Sequence, residues 1–162
     1  MRVHPLTESL LEEALDLFAS VAAEGEWLAT EPPIDRREVR ARWRDLLATG
    51  EGTILVAEVD AVVAGLAAVV GRVTPEFGML VRHDMRRRGV GEALLSASLA
   101  WARGRGAREV VLHVFRHNEA AIALYRKHGF EERPIPHLSQ RRRGVLRREA
   151  IRMVRGIERG EG

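Results

Sequence analysis

Apolar residues recur along the chain at two spacings, one typical of helices and one typical of strands. The helical spacing predicts four helices, which begin after Thr7, after Asp35, at Gly91 and at Asn118. Runs rich in β-branched residues predict seven strands, at residues 2–6, 53–58, 62–70, 76–81, 109–115, 130–133 and 149–156. The resulting order, β-αα-βββ-α-β-α-ββ, is typical of a single mixed α/β domain.

Individual residues refine the ends and faces of these elements. Thr7, Asp35 and Asn118 are predicted N-caps, and Gly129 is predicted to end the last helix in a left-handed conformation. Gly78 lies inside the strand at 76–81 and is predicted to mark a bulge that separates this strand from a neighbour. The third helix is predicted to bury a stripe of Ala93, Leu94, Ala97 and Trp101.

An arginine-rich turn connects the strand at 76–81 to the third helix. Gly89 and Gly91 allow an anion to approach the main chain, and the first N–H groups of a helix have no intrahelical partner. The helix dipole adds partial positive charge there, so the turn predicts a phosphate or pyrophosphate site. It has no lysine for a GxxxxGK[ST] loop, and Leu94 stands where a dinucleotide fingerprint needs a third small residue.

Composition excludes several classes of function. The 162 residues include no cysteine, so disulfides, thiolate metal sites and a cysteine nucleophile are excluded, and no His/Asp/Glu spacing predicts a metal site. The net charge is only +3, with Lys127 as the one lysine and few paired aromatics, which does not favour nucleic-acid binding. The longest apolar run, 54–70, contains two acids and a glycine, so neither a membrane span nor an apolar leader is predicted, and the expected location is cytoplasmic.

Two motifs together resemble those of the GCN5-related N-acetyltransferase (GNAT) superfamily. Residues 86–91 match R/Q-x-x-G-x-G/A, and residues 118–130 match N-x-x-A-x-x-L-Y-x-x-x-G-F at every fixed position. They occur in the right order, with the right elements between them, and the resemblance covers nearly the whole chain. It implies an α/β GNAT fold, with a mixed sheet of about seven strands flanked by about four helices. The domain is expected over residues 1–157, followed by a disordered tail at 158–162.

The resemblance also implies acetyl-CoA as the cofactor and assigns residues to it. Met79, Leu80 and Val81 would pair with the pantetheine arm, and a main-chain N–H there would polarise the thioester carbonyl. The pyrophosphate would be held, mainly by main chain, at Arg86, Arg87, Arg88, Gly89, Val90, Gly91 and Glu92. Asn118 would hydrogen-bond the cofactor arm, and Tyr125 would donate a proton to the departing thiolate. Without the motif, Tyr125 would be read as a helix residue that packs on the sheet.

The general base has two candidates. Glu76 begins the strand before the arginine turn, where relatives often carry an acid, although it is also compatible with a strand-end acid that faces water. His113 lies five residues before Asn118, in a context that resembles protein N-terminal acetyltransferases, although it is also compatible with a hydrogen-bonded histidine on a buried strand. His83 and His117 are read as solvated loop residues.

The acceptor is expected between the first two helices, their loop and the connection at 134–148. Glu26 and Trp27, with Glu24 and Glu31, could hold a cationic amine, whereas the arginines of 141–148 could hold a carboxylate or phosphate; both could equally be solvated. Three functions remain open: an acetyltransferase for small-molecule or amino-acid amines, one for protein N-termini or lysines, and a non-catalytic acyl-CoA-binding module. The expected partner is an amine-bearing small molecule or peptide, without nucleic acid or membrane, and a homodimer is compatible with the sequence.

Overall fold

The computed structural model describes residues 1–136 and 150–158. The arginine-rich part of the connection at 134–148, which the sequence nominated for acceptor binding, therefore lies outside the described residues. So does nearly all of the tail for which disorder was predicted. No helix in the described part of the chain is long and apolar enough to cross a membrane.

The elements follow the predicted order. The helices are α1 (Leu11–Ala23), α2 (Arg36–Thr49), α3 (Val90–Gly104) and α4 (Glu119–Lys127), with short 3-10 turns at Glu8–Leu10 and His83–Met85. The strands are β1 (Arg2–Pro5), β2 (Gly52–Val59), β3 (Val62–Val70), β4 (Glu76–Val81), β5 (Glu109–Phe115), β6 (Glu131–Arg133) and β7 (Ala150–Gly156). This mixed sheet with four helices confirms the predicted fold class.

One sheet joins all seven described strands, in the order β1-β2-β3-β4-β5-β7-β6. Every neighbouring pair is antiparallel except β4 and β5, which are parallel and pair only at Glu76 with Val111 and at Phe77 with Leu112. From residue 78 onward the two strands diverge. Gly78 therefore lies where β4 separates from a neighbour, as predicted, but the predicted bulge is absent from the β3–β4 ladder, where Gly78 pairs in regular register with Ala68. The split arises because β4 keeps its pairing with β3 and leaves β5.

The sheet is covered on both faces, which explains why β2 and β3 are apolar almost throughout. Ile54 and Val56 belong to the cluster that includes the buried residues of α1 and α2. Leu55 and Ala57 point to the opposite face, into the cluster formed with α3 and α4. Alternate residues of one strand therefore fill two separate cores.

The buried face of α3 differs from the predicted stripe. Its buried residues are Val90, Leu94, Leu95, Ser98, Leu99 and Ala102, whereas Ala93, Ala97 and Trp101 are half-buried. The helix turns its leucines toward the sheet. Trp101 remains at the margin, where the Arg105 guanidinium lies 5.2 Å from its ring centroid.

Two of the three side-chain N-caps behave as expected. Asp35 Oδ1 accepts hydrogen bonds from the N–H groups of Arg37 and Glu38, both at 3.1 Å. Asn118 Oδ1 accepts one from Ala121 N–H at 3.3 Å. The cap predicted at Thr7 is wrong, because a 3-10 turn intervenes before α1 and the Thr7 hydroxyl contacts Ser9 Oγ at 3.0 Å instead.

Candidate active site

Two cavities meet where β4 and β5 diverge. The first cavity has a volume of about 540 Å³ and lies under α2 and the loop between α1 and α2. The second has a volume of about 640 Å³ and extends along the arginine turn toward α4. They share a set of lining residues at their junction, namely Trp27, Leu28, Met79, Leu80, Asn118 and Tyr125. A long ligand in the second cavity can therefore present one end to a ligand in the first.

Main-chain geometry makes the turn beside the second cavity suitable for an anion. Arg87 and Gly89 have left-handed backbones, with φ of 64° and 82°. Gly89 is the N-cap of α3 and carries no side chain that could cap it, and the first bond of the helix runs from Ala93 N–H to Gly89 O at 3.1 Å. The amides of the first turn, Val90 to Glu92, therefore have no intrahelical acceptor. Their residues line the cavity, and the donor set fits a pyrophosphate.

The Arg86 side chain is already engaged within the protein. Its guanidinium donates to both carboxylate oxygens of Glu24, at 2.8 and 2.6 Å, and its Nε donates to Val81 O at 3.0 Å. It also lies 5.6 Å from the ring centroid of Trp27. This hydrogen-bonded ion pair lowers the pKa of Glu24 below its ordinary value, so the pair persists into acidic solution. Arg86 thus fastens the α1–α2 loop to the turn.

The other charged residues of the turn differ in position. Arg87 and Glu92 line the second cavity, whereas Arg88 does not and instead places its guanidinium 3.0 Å from Met85 Sδ. The Glu92 carboxylate accepts from Lys127 Nζ at 2.9 Å and contacts His128 Nε2 at 3.1 Å. The hydrogen bond from Lys127 lowers the pKa of Glu92. These contacts connect the start of α3 to the end of α4.

Asn118 and Tyr125 stand together at the junction, as their seven-residue spacing predicted. The Tyr125 side chain is buried, with its ring centroid 6.1 Å from that of Phe77 and 5.8 Å from that of Phe130. Burial raises the pKa of its phenol above the ordinary value, so the hydroxyl remains protonated at neutral pH. It is therefore available as a proton donor at the meeting point of the cavities.

The two candidate bases are neighbours in the structure. Glu76 pairs with Val111 across the parallel strands, so His113, two residues further on, projects from the same face of the sheet. His113 Nδ1 lies 3.1 Å from Glu76 Oε1. Its Nε2 is buried and makes no hydrogen bond with any described residue. Both residues line the first cavity.

This arrangement selects a histidine tautomer. A carboxylate accepts but cannot donate, so Glu76 favours a proton on Nδ1 of the neutral ring. Nε2 is then left with its lone pair, as an acceptor for a proton. The sequence presented Glu76 and His113 as alternatives, whereas the structure unites them in a hydrogen-bonded pair.

The two residues proposed for acceptor binding have different surroundings. Trp27 lines both cavities and lies between Arg86 and His117, whose ring centroid is 5.6 Å from its own. Glu26 is exposed, and its side chain lines neither cavity. Its main-chain carbonyl accepts a hydrogen bond from His117 Nε2 at 2.9 Å. His117 is thus a bridge between two loops and not simply a solvated residue.

Sequence reasoning missed several residues of the first cavity. Phe18 and Trp43 supply aromatic walls, and Arg42 supplies a positive charge. Both aromatic residues follow the helical spacing that is typical of core positions, and a cavity beneath a helix leaves no mark on that spacing. Arg42 carried only an ambiguous signal, because Arg37 also departs from the four-residue spacing of Arg36, Arg40 and Arg44 on α2. Among the described residues, no group of three His, Asp or Glu side chains could hold a metal ion.

The chain is similar in sequence to known acetyltransferases. A model of the acetyltransferase (GNAT) family matches residues 10–130. An uncharacterized N-acetyltransferase of Methanocaldococcus jannaschii is 40% identical over 57 residues, which make up 35% of this chain and 25% of that protein. The chain thus spans a quarter of that relative's length. Glucosamine 6-phosphate N-acetyltransferase 1 of Oryza sativa subsp. japonica is 28% identical over 120 residues, covering 67% of this chain and 71% of the rice protein.

The fold also matches solved structures. A phosphinothricin acetyltransferase from Sinorhizobium meliloti, solved in complex with acetyl-CoA, superposes with a TM-score of 0.80 at 20% identity, covering 99% of this chain and 90% of that one. The likeness is therefore one of fold, and the sequence match carries the assignment. Since the family model covers three quarters of the residues, including both motifs and the residues that join the two cavities, the chain belongs to the acetyltransferase (GNAT) family.

Proposed function

We propose that the protein transfers the acetyl group of acetyl-CoA to a primary amine of a small molecule or amino acid. The observation that carries this proposal is the junction of the two cavities. Asn118 and Tyr125 stand there between an anion-binding turn on one side and the Glu76–His113 pair on the other. Relatives named for glucosamine 6-phosphate and for phosphinothricin act, by those names, on small molecules that carry an amine.

Acetyl-CoA would lie in the second cavity. The first amides of α3 would hold its pyrophosphate, because they are uncapped donors at the positive end of a helix. The edge of β4 from Gly78 to Val81 lacks a β5 partner, so its main chain is available to pair with the pantetheine arm. The thioester would then reach the junction beside Met79, Leu80 and Tyr125.

The proposed reaction is a direct attack of the amine on the thioester carbon, in which a C–N bond forms and the C–S bond breaks. His113 Nε2 receives the proton that the amine loses, directly or through water, and Glu76 stabilises the resulting imidazolium through Nδ1. A main-chain N–H of residues 79–81 stabilises the oxyanion. Tyr125 donates its phenolic proton to the departing thiolate sulfur.

Acetyl-CoA should raise the melting temperature in a concentration-dependent manner. Binding to the native state alone stabilises it by about 2.7 kcal/mol at a hundredfold excess over Kd. Differential scanning fluorimetry measures the shift. Acetylpantetheine, which lacks the pyrophosphate, is the matched control and should shift the temperature far less, since it cannot contact the first turn of α3. Equal shifts from both compounds would show that the first turn of α3 does not bind the pyrophosphate. No shift from either compound would refute the cofactor assignment.

Changing His113 to glutamine should lower kcat/KM about 100-fold at neutral pH and remove the acidic limb of its pH profile. The limb arises because a protonated His113 cannot accept a proton from the amine. Glu76→Gln should cause a smaller loss, since its amide still contacts Nδ1 without stabilising the imidazolium. The pH dependence of thiol release measures both. His4→Gln is the matched control, because His4 forms another histidine–glutamate pair, with Glu58, at the β1 edge of the sheet.

The outcome for the base is decided by the shape of these profiles. If His113→Gln retains the acidic limb and Glu76→Gln loses it, the carboxylate is the base and the histidine positions it. If both variants retain the limb, neither member of the pair takes the proton. A thiol-release screen over small amines, amino acids and peptides tests the acceptor, and release with peptides alone would favour acetylation of protein termini. Binding without release to any amine would favour the acyl-CoA-binding module.

A further inference from the structure

The first cavity carries few charges. Its walls are mainly aromatic and aliphatic, with Phe18, Trp27 and Trp43 among them. Its charged or titratable lining residues are Arg42 on α2, the Glu76–His113 pair on the sheet, and Tyr125 at the junction. The cationic side chain and the proposed base thus belong to different elements of one small cavity. A ligand that fills this cavity of about 540 Å³ would contact both.

Arg42 differs from the paired arginines of its helix. Arg36, Arg40 and Arg44 follow a four-residue spacing and form ion pairs with Asp16, Glu12 and Glu8 on the α1 side. Arg42 lies halfway between two of them in sequence, so its side chain is rotated by about 200° from theirs. It forms no ion pair with any described residue, and it faces the cavity. Two arginines of α2, Arg37 and Arg42, form no ion pair with a described residue, and of these two only Arg42 lines the first cavity, where an acceptor would enter.

From this arrangement we infer that the acceptor carries an anionic group as well as its amine, and that Arg42 binds the anion. The inference rests on the proposed function and specifies its substrate class. A guanidinium binds carboxylate, phosphinate or phosphate oxygens through two parallel hydrogen bonds. With its anion on Arg42, the acceptor directs its amine toward His113 and the junction. Amino acids and amino phosphates both satisfy this geometry.

The test measures kcat/KM for matched acceptors that differ in the anionic group alone. One pair is an α-amino acid and its carboxamide, and the other is an aminoalkyl phosphate and the corresponding amino alcohol. Each is assayed with the wild type, with Arg42→Gln and with Arg37→Gln as the control, since Arg37 is exposed on the same helix and lines neither cavity. For each substitution, we compare the fold loss of kcat/KM for the charged acceptor with the fold loss of kcat/KM for its neutral partner. This ratio cancels differences in amine basicity within a pair.

We expect Arg42→Gln to lower kcat/KM about 10- to 100-fold for the charged member of at least one pair and less than threefold for its neutral partner. Arg42→Lys should restore part of the loss, and Arg37→Gln should change neither acceptor. The pair that responds shows whether the anion is a carboxylate or a phosphate. Equal losses for charged and neutral acceptors, or none, would overturn the inference.

Failure of this inference is distinguishable from failure of the proposed function. If neutral or cationic amines are acetylated well and Arg42→Gln has no effect on them, the acetyltransferase function stands and the anionic acceptor is refuted. If acetyl-CoA binds but no amine of any charge is acetylated, both are refuted. Thermal melting of Arg42→Gln controls for folding. If its melting temperature equals that of the wild type, the loss of kcat/KM results from the lost contact with the acceptor.

Discussion

Changing Tyr125 to phenylalanine should lower kcat about 100-fold and leave the Kd of acetyl-CoA unchanged. The hydroxyl is the proposed acid for the thiolate, and its raised pKa keeps it protonated throughout the neutral range. The ring would keep its contacts with Phe77 and Phe130, so the substitution removes the proton donor with little effect on packing. Steady-state thiol release gives kcat, and equilibrium titration gives Kd.

The leaving group supplies a control for this prediction. An acetyl thioester of a more acidic thiol needs less help from a proton donor, so the variant should lose less activity with it than with acetyl-CoA. Because burial raises the pKa of Tyr125, the wild-type kcat should also show no alkaline limb from this residue at the ordinary pKa of a tyrosine. Unchanged turnover of acetyl-CoA in the variant would show that Tyr125 is not the proton donor.

Changing Gly65 to alanine should lower the free energy of unfolding by about 1–3 kcal/mol. Gly65 lies on β3 directly under α3, and a Cβ there would stand 2.8 Å from Leu94 Cδ1, 3.0 Å from Val90 Cγ1 and 3.0 Å from Leu80 O. The leucine can rotate, whereas the main-chain carbonyl of β4 cannot move without disturbing the sheet. For a chain of this length, each kcal/mol corresponds to about 2–4 °C in Tm. Denaturant unfolding or calorimetry measures the change.

The same substitution at Gly104 is the matched control. No atom outside its own helix lies within 4 Å of a Cβ built there, and its backbone is not left-handed, so Gly104→Ala should be neutral or stabilising by up to about 1 kcal/mol. If Gly65→Ala is as stable as Gly104→Ala, the close packing of α3 on β3 does not require a glycine at position 65. A loss at both positions would indicate a general effect of the substitution.

Local signals predicted most of the fold. Strand β5 has the same limits in sequence and structure, and the caps at Asp35 and Asn118 form because a side chain two or three residues from an amide needs no tertiary partner. Thr7 has the right chemistry for a cap, but the chain enters α1 through a 3-10 turn that sequence did not reveal. The buried face of α3 differs from the predicted stripe, because the sheet beneath the helix, and not the helix period alone, decides which residues are covered.

The candidate site divides in the same way. The spacing of Asn118 and Tyr125 and the glycines of the arginine turn are local features, so the motifs alone identify them as candidate site residues. The pairing of Glu76 with His113 joins residues 37 positions apart, and that of Arg86 with Glu24 joins residues 62 apart. Neither follows from the pattern on one element. The parallel register of β4 and β5 creates the first pair, and the packing of the α1–α2 loop on the turn creates the second.

By itself, the sequence determined the order of the elements, the family and the segments that contact acetyl-CoA in the proposed function, since these depend on periodicity, glycine positions and short spacings. The tertiary structure decided which side chains meet. It opened the split between β4 and β5, joined two cavities at Tyr125, united Glu76 and His113, and turned Arg42 toward the first cavity and away from its paired neighbours. The physical reason is that strand register and helix rotation are set by burial over the whole sheet, and no single segment encodes them.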